Sequence, residues 1–452
     1  MDPVTKSLLQ LTPQFANRNA EYARRWAYYK GNVYTDTGVK DYLKKSKRLL
    51  SMQEVYNCVA QAVDVDTRFV MKRDLRVASP DGKSEWEDML DEIWEASSFQ
   101  RNKYKLVRTG ANLGDCYLIV HALDEFPYAK IVVANSEDME VFTNPHDQDI
   151  VDKAVQRYNF YDDVAKKVRS WDRIWYPDRI ETYIDGRFAE EYSSEHPFGE
   201  VPVVHIKHLD IGESLGLHTW HNIQAQVDAV NELASYMWLI MQRYGEPTLI
   251  ASGPTKPEKI VKRDGNVIYV GLQGDLRILE YAGNILPNIA SFAQTVVGYI
   301  QEAVPELALG RIRDIGSNLS GYAVSMHLAD MVAKIEELRG NYADGIEHAN
   351  ALALKARLKS NAPIEEFQND ILFDSILPED AMEKWNINQK KIELQVESRS
   401  SVMRREGLTE AEIEARFEEI KAELETLFDI TYPNRVEQEI EGDFEFGGLE
   451  DV

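Results

Sequence analysis

Two long segments with few charges constrain this chain more than any other feature of its sequence. Apolar residues recur at helical spacings of three and four over roughly 217–243, which predicts a helix with one continuous apolar seam. Tyr281–Gln301 contains no charged residue and predicts a second helix over about 285–304, ended by Pro305. Helices with so few charges need protein neighbours on most sides. The Asn, Gln, Ser and Pro residues in the second helix argue against a membrane span.

The charge of the chain limits its partners. The 452 residues carry a formal net charge of −25 at pH 7, and 25 acidic against 9 basic residues lie from Asn361 to Val452. Such a surface repels nucleic acid and anionic membranes in bulk, so any contact with DNA must come from a few local cations or be weak. The length predicts two to four structural units.

Cysteine usage and the N-terminus bear on the compartment. The chain has only Cys58 and Cys116, which can form neither a disulfide framework nor a thiolate zinc site and which fit a reducing, intracellular compartment. The first residues, MDPVTKSLLQLTPQF, contain an early acid and lack the apolar core of a secretory signal peptide.

The order of periodic and turn-rich segments predicts an α+β fold. Residues 1–110 are expected to be mostly helical, and 111–210 to form short β-strands, with a hairpin turn at Asp185-Gly186. A second β-rich insert covers 245–284, between the two helices with few charges.

The C-terminal part of the chain is predicted to be helical. One periodic segment covers 321–358, a helix of roughly 55 Å, with a bend expected at Gly340 and Gly345. The acidic residues beyond it form further helices, one of which begins with a capping box at Thr409 and Glu412. The last residues are expected to be disordered.

The loop GRIRDIGSNLSGYAVS, at 310–325, contains three glycines and two arginines between two predicted helices. Gly310 and Gly316 have the spacing of a P-loop, but Ser317-Asn318 stands where that motif needs Lys and then Ser or Thr. Two interpretations remain open. The loop is a turn whose polar residues cap the next helix, or it is mobile and its arginines meet a phosphate backbone weakly.

Three further clusters carry possible chemistry. Four histidines occur as HIKH and HTWH, and they are interpreted as partly buried structural residues in preference to a metal site, because no nearby acid or cysteine completes a ligand set. The segment NPHDQD at 144–149 is interpreted as a turn in preference to a calcium loop. The β-rich insert holds the densest cationic cluster, either a solvated face or a docking surface for an acidic partner or DNA: Lys256, Lys259, Lys262 and Arg263.

The order of these segments resembles the tailed-bacteriophage portal proteins, in particular the SPP1-type portal family, over roughly residues 15–400. The most specific match is a strand, a glycine and a helix with an Asp-x-x-Asn step, which here are Pro202-Val203-Val204, Gly216, and Asp228 with Asn231. The segment Ser320-Gly321-x-Ala323 is similar to the family's opening of the long helix. YYKG at 28–31 and GDCYLIV at 114–120 are weaker matches.

The resemblance implies a portal fold divided into the parts of a portal subunit. In chain order these are an α+β wing, a stem helix, a small β-rich clip, a second stem helix, a tunnel loop, a long kinked helix, and an acidic helical crown with its tail. Their expected bounds, in the same order, are 1–216, 217–244, 245–284, 285–305, 306–320, 321–360 and 361–452.

The resemblance also implies a function. It predicts a non-enzymatic ring of usually twelve subunits, without a cofactor, that forms a channel for double-stranded DNA at the head–tail vertex of the virion and assembles in the host cytoplasm. The expected partners are other subunits, DNA, terminase, the major capsid and scaffolding proteins and a head–tail adaptor, with no membrane contact. Arg311, Arg313 and Asn318 are expected to face DNA, the four cations of the insert to dock the motor or adaptor, and Asp228 and Asn231 to have a structural role in the stem.

Two alternatives from other classes remain at this stage. One is a metal- or nucleotide-dependent enzyme, whose site would be the four histidines or the 310–325 loop. The other is a monomeric helical scaffold protein. Rings with a central hole in electron micrographs would support the portal interpretation over both.

Overall fold

The computed structural model describes residues 13–34, 56–79, 84–146, 150–244, 249–252, 275–278, 285–308, 326, 328–376, 381–405 and 408–431. These residues belong to two compact units, 1–377 and 378–452. Helices and strands both contribute to the first unit, which confirms the predicted α+β class.

The N-terminal part of the first unit is mostly helical, as predicted. Its elements are α1 (Pro13–Lys30), α2 (Cys58–Val70), β1 (Arg76–Ala78), α3 (Ser84–Ser97) and α4 (Phe99–Leu113). The side chain of Asn57 caps α2 by accepting a hydrogen bond from the backbone N–H of Ala60, at 3.1 Å. Gly114 ends α4 in the left-handed region, with φ of 90°.

Two sheets follow, and the predicted β-rich region is confirmed. Their strands are β2 (Asp115–Ala122), β3 (Ala129–Ala134), β4 (Met139–Thr143), β5 (Val151–Asp162), β6 (Lys167–Trp175), β7 (Arg179–Ile184), β8 (Arg187–Phe188), β9 (Ser194–Glu195) and β10 (Val203–Lys207). One sheet has the order β10-β2-β3, and the other has β4-β5-β6-β7-β8 with β9 paired to β7. Asp185 and Gly186 have φ of 50° and 72° and join β7 to β8, which confirms the predicted hairpin.

The three-stranded sheet is buried on both faces. In β2, Cys116, Leu118 and Val120 face the helical core, whereas Tyr117 and Ile119 face the second sheet. The period of two in a strand places successive side chains on opposite faces, so the continuous apolar run CYLIV serves both cores.

Two helices and a small sheet form the middle of the chain. They are α5 (Gln224–Tyr244), β11 (Leu249–Ser252), β12 (Asp275–Ile278) and α6 (Ile285–Ala303). The β11–β12 pairing is antiparallel and agrees with a β-rich insert between the helices. No helix within the described ranges is long and apolar enough to cross a membrane.

The predicted start of the first of these helices is wrong. Leu217 pairs with Leu209 in an isolated β-bridge, and the residues after it form turns up to Gln224. Trp220 and Ile223 continue the apolar spacing because they are buried in the same core as the helix that follows. Apolar spacing alone therefore extended the prediction by about two turns.

The long helix α7 (Ala329–Leu358) crosses the three-stranded sheet, and β13 (Asp370–Leu372) then pairs with β1. Its apolar face, including Ile335, Leu338, Tyr342 and Ile346, is fully buried against the sheet and against α2 and α3. The predicted helix over 321–358 is confirmed from Ala329 onwards, and 321–325 lies outside the described residues.

The two glycines of α7 have different surroundings. A Cβ on Gly345 would lie 2.4 Å from Cγ1 of Ile206 in β10, whereas a Cβ on Gly340 would meet nothing within 4 Å. The helix is continuous through both positions. Gly345 therefore serves close packing of the helix on the sheet.

The second unit contains α8 (Ala381–Glu393), α9 (Arg399–Arg405) and α10 (Glu410–Thr431). The backbone N–H of Thr409 donates to Glu412 Oε2 at 2.8 Å, and the N–H of Glu412 donates to Thr409 Oγ1 at 3.4 Å. This reciprocal pair confirms the predicted capping box. The C-terminal residues 432–452 lie outside the described ranges.

Substituting the two glycines of α7 separates packing from helix propensity. Gly345→Ala is expected to lower the free energy of unfolding by about 1–3 kcal/mol, because its Cβ overlaps Ile206. Gly340→Ala, the matched control, is expected to raise it by about 0.5–1 kcal/mol, since alanine favours an unobstructed helix. Urea denaturation of the purified chain measures both, and shifts of the same sign would contradict the packing interpretation.

Candidate functional site at the root of the helical pair

Helices α5 and α6 are called the helical pair below, and their buried side chains, among those the structure describes, lie at one end of the pair. Val227 and Val230 near the start of α5 share a core with Val296 and Ile300 near the end of α6, so the helices are antiparallel. Side chains farther along the pair are exposed: Trp238 by 46%, Met241 by 52% and Phe292 by 57%. The root of the pair is defined here as the first turns of α5, the last turns of α6 and the turn Pro305–Ala308.

The Asp-x-x-Asn step of α5 anchors the root to the N-terminal helix. Asp228 accepts hydrogen bonds from the hydroxyls of Tyr28, at 2.8 and 2.9 Å, and Tyr34, at 2.8 Å. Burial raises the pKa of the Asp228 carboxyl, an effect that these two hydrogen bonds partly oppose. The carboxyl therefore depends on the tyrosines as partners that replace water.

Asn231 completes this anchor one turn later. Its Oδ1 accepts from the backbone N–H of Tyr56 at 2.7 Å, and its Nδ2 donates to the hydroxyl of Tyr34 at 3.2 Å. Asn231 is fully buried. The two residues of the step thus hold α5 to segments on both sides of 35–55, which lies outside the described residues.

A second buried carboxylate holds the approach to α5. Asp115 Oδ1 accepts from the backbone N–H of Gly216 at 2.8 Å and lies 2.8 Å from Nε2 of His205, while Oδ2 accepts from the Tyr22 hydroxyl at 2.8 Å. A Cβ on Gly216 would lie 2.4 Å from the carbonyl oxygen of Gly114. The glycine that matches the family pattern is therefore required by close contact between two backbone segments.

A cluster of charged groups is buried where α6 ends. Asp66 of α2 and Glu306 of the turn Pro305–Ala308 are both fully buried, and the Lys334 side chain of α7 is 16% exposed. Lys334 Nζ contacts Glu306 Oε1 and lies 3.8 Å from Asp66 Oδ2. This buried charge cluster, defined by Asp66, Glu306 and Lys334, joins three elements that are distant in sequence.

A chain of polar side chains leads into the buried charge cluster. Thr219 Oγ1 donates to Asp66 Oδ2 and lies 2.8 Å from Nε2 of His208. Nδ1 of the same histidine lies 3.0 Å from the hydroxyl of Tyr342. Burial lowers the pKa of His208 to about 3, so the ring is neutral.

The structure describes only part of the predicted site. Asp228 and Asn231 come together at the root, as stated above. Arg311, Arg313 and Asn318, and the insert cations Lys256, Lys259, Lys262 and Arg263, lie outside the described residues.

The histidines singled out in the sequence make protein contacts. His205 pairs with Asp115, His208 with Thr219 and Tyr342, and His221 Nδ1 lies 2.9 Å from the carbonyl oxygen of His218. Within the described part of the chain, no cluster of three or more His, Cys, Asp or Glu side chains could hold a metal ion. In NPHDQD, the N–H of His146 donates to Asn144 Oδ1 at 2.9 Å, which supports the turn interpretation, and 147–149 lies outside the description.

The sequence interpretation missed the buried charge cluster, although two signals for it exist. Asp66 falls on the apolar face of α2, at helical spacing from Val59, Val63 and Val70. Glu306 is a single acid in the otherwise apolar segment VPELAL. A lone acid on an apolar face indicates a buried polar contact, because an unpaired one would be costly.

Comparison with known sequences identifies the family. The sequence profile described as "Phage portal protein, SPP1 Gp6-like" matches residues 9–426, and the chain belongs to this family. The resemblance drawn from Pro202-Val203-Val204, Gly216 and the Asp-x-x-Asn step is thereby confirmed. No curated protein sequence matches the chain significantly.

Similar solved structures come from gene transfer agent particles. "Neck of empty GTA particle computed with C6 symmetry" has a TM-score of 0.44 and 14% identity, and the match covers 72% of this chain and 83% of that chain. "Virion of native gene transfer agent (GTA) particle" has a TM-score of 0.42 and 12% identity, with coverage of 75% and 84%. "Neck of native GTA particle computed with C12 symmetry" has a TM-score of 0.41 and 13% identity, with coverage of 73% and 84%.

Replacing Asp228 tests the anchor. Asp228→Asn is expected to lower the free energy of unfolding by about 1–3 kcal/mol, because the amide nitrogen that replaces Oδ2 cannot accept from Tyr28 and a neutral amide oxygen accepts more weakly than a carboxylate. Glu232→Gln, one turn later on the same helix and only partly buried, is the control and should stay within about 0.5 kcal/mol of the wild type. Equal effects of both substitutions in denaturant unfolding would show that the anchor does not hold α5.

Proposed function

We propose that the chain is the subunit of a ring-shaped phage portal, a non-enzymatic channel for double-stranded DNA at the head–tail vertex of the virion. The observation that carries the proposal is the helical pair, which is buried at its root and exposes large apolar side chains beyond it. Membership of the portal family supports the same assignment.

The exposed side chains need a partner. Trp238 and Met241 on α5, and Phe292 on α6, lie beyond the root, and Tyr299 lies on the exposed side of the last turns of α6. Each is between 46% and 58% exposed in the single subunit. Large apolar side chains that are exposed on two helices packed together favour an interaction surface there. Other copies of the chain, arranged head to tail in a closed ring, would cover this surface without leaving one subunit unmatched. Twelve copies is the number that the family implies.

The parts of the subunit follow from this assignment. The two sheets and the helices around them form the wing over 1–216, the helical pair is the stem, and the insert 245–284 is the clip. The tunnel loop is 306–320, the long helix is 321–360, and the second unit belongs to the crown. Four cations of the clip would form the surface where terminase docks during packaging and the adaptor docks afterwards: Lys256, Lys259, Lys262 and Arg263.

The charge of the chain suits a conduit. A net charge of −25 keeps the affinity for phosphate low, so DNA can slide through the channel without being held. Arg311, Arg313 and Asn318 of the tunnel loop then provide brief contacts with passing DNA. Wing and crown contacts with major capsid and scaffolding proteins would place the ring at one vertex during head assembly.

Charging the exposed side of α6 tests ring formation. The double variant Phe292→Glu, Tyr299→Glu is expected to reduce ring assembly by about tenfold or more. The reason is that two carboxylates would be placed against an apolar surface of the next subunit. Both positions are exposed in the subunit, so its melting temperature should remain close to that of the wild type. Native mass spectrometry measures assembly.

The control for ring formation lies on the other flank of the same helix. The double variant Ser291→Glu, Gln294→Glu introduces the same two charges at exposed positions of that helix. It should assemble like the wild type. If Phe292→Glu, Tyr299→Glu also forms rings normally, α6 does not contribute its exposed side to the interface.

Removing the arginines of the tunnel loop tests the channel. Arg311→Ala with Arg313→Ala should leave ring formation intact and lower the amount of DNA packaged or retained per particle, since the loop would lose its cations. Lys166→Ala with Arg187→Ala, two exposed cations of the six-stranded sheet that have no proposed role in the channel, is the control for the general effect of removing two cations. Unchanged packaging in the loop variant would show that the loop is only a connection between helices.

A further inference from the structure

We propose that Asp66, Glu306 and Lys334 form a positioning latch that holds the end of the second stem helix to α2 and α7 and that is complete only when one extra proton is bound between the two carboxyl groups. The inference deepens the proposed function, because the latch sets where the chain leaves the stem and enters the tunnel loop. Its geometry and its test concern the single subunit.

The latch lies where α6 ends and the turn Pro305–Ala308 begins. Val304 N–H donates to Ile300 O and Leu307 N–H donates to Val304 O, each at 3.0 Å, so hydrogen bonds link the end of α6 to the turn. The turn packs against α2 and α7, and its Val304 and Leu307 side chains are buried in the same core as the root. Glu306 is therefore held between elements that belong to the wing and the long helix.

The latch contains two acids and one base. Lys334 contacts Glu306 Oε1 and lies 3.8 Å from Asp66 Oδ2, so a single ammonium serves both carboxyl groups. Glu306 Oε2 and Asp66 Oδ1 are buried and have no hydrogen-bond partner among the described residues. With both acids ionised, the site would hold one uncompensated negative charge away from water, which is costly.

The surrounding hydrogen bonds show which carboxyl group takes the proton. The hydroxyl proton of Thr219 is used by Asp66, so Thr219 accepts from Nε2–H of His208, and Nδ1 of that ring accepts from the Tyr342 hydroxyl. Every donor in this chain is directed towards Asp66, which is its final acceptor. The side chains of Glu306 and Asp66 also lie within hydrogen-bond reach of each other. We therefore assign the extra proton to Glu306, whose O–H can donate to the other oxygen of Asp66.

The electrostatics of the site agree with this assignment. Burial, and next the charge of Asp66, raise the pKa of Glu306 from 4.5 to about 7, and Lys334 opposes the shift. In the unfolded chain the same carboxyl titrates near its ordinary value. The folded chain therefore keeps a proton between about pH 4.5 and pH 7 that the unfolded chain has lost, so the contribution of the latch to stability falls as the pH rises through this range.

The buried side chains of His208, Cys116 and Tyr342, which lie next to the latch, do not change charge in this range. Burial lowers the pKa of His208 to about 3, and burial raises the pKa values of Cys116 and Tyr342 above their ordinary values. Glu337 of α7 acts on His208 from the exposed side of the helix. The other carboxyl groups affect the pH dependence of melting equally in the wild type and in a Glu306 variant. The difference between the two proteins therefore reports on Glu306.

The test compares the melting temperature of the wild type with that of Glu306→Gln at several pH values. The amide resembles the protonated acid and can donate to Asp66, so the two proteins should melt together near pH 5. Near pH 8, Glu306→Gln should melt higher, by on the order of 5 °C. Between pH 5 and pH 8, the protection of the Leu307 amide against hydrogen exchange should fall in the wild type, after correction for the intrinsic rate at each pH. In the variant this protection should stay constant.

A matched control and a rescue make the test specific. Glu302→Gln, four residues earlier and exposed, should follow the wild type at every pH. Lys334→Gln should melt below the wild type, most strongly near pH 8, and the double variant Lys334→Gln, Glu306→Gln should recover most of this loss. A constant difference between the wild type and Glu306→Gln from pH 5 to pH 8, or the absence of rescue, would overturn the proposal.

The test is independent of ring formation and of DNA. It uses the purified full-length chain and reads melting and exchange within one subunit. If the Phe292 and Tyr299 variants form rings normally while Glu306→Gln abolishes the pH dependence, the latch stands and the proposed ring interface fails. The opposite result would remove the latch and leave the proposed channel untouched.

Discussion

The packing of α7 across the three-stranded sheet is the contact on which the rest of the first unit depends. It requires two glycines: a Cβ on Gly345 would overlap Ile206, and a Cβ on Gly110 would lie 2.1 Å from the Tyr342 hydroxyl. Because the helix lies this close, Tyr342 reaches His208 and Lys334 reaches the end of α6. A larger separation would lengthen and weaken both polar contacts.

Polar groups at the root fix the register of helices that apolar burial brings together. The core shared by α1, α2 and the helical pair is apolar and favours association without a strict register. Asp228, Asn231 and Asp115 each accept or donate several hydrogen bonds with partners from distant segments. Such groups are satisfied together in only one arrangement of the helices, so at this site their contribution is to the uniqueness of the arrangement more than to its free energy.

Local features of the fold were predictable because their causes are local. The Asp185-Gly186 hairpin, the Thr409–Glu412 capping box and the second helix ended by Pro305 each depend on a few neighbouring residues. The start of α5 was predicted wrongly because Trp220 and Ile223 are buried in turns that continue the helical spacing. Asp228 and Asn231 were identified through a family pattern, whereas their pairing with Tyr28 and Tyr34 could not be predicted, since those lie about 200 residues earlier in the chain.

The sequence by itself determined the order of helices and strands, the acidic character of the chain and its membership of the portal family, because periodicity, charge and motif spacing are properties of neighbouring residues. Only the tertiary structure decided which buried acids meet. Asp66, Glu306 and Lys334 stand in three separate elements, and nothing in their local sequence states that they share one site. Their proximity arises from the crossing of α7 over the sheet and the entry of α6 into the core. The low polarity of that core strengthens the interactions between their charges.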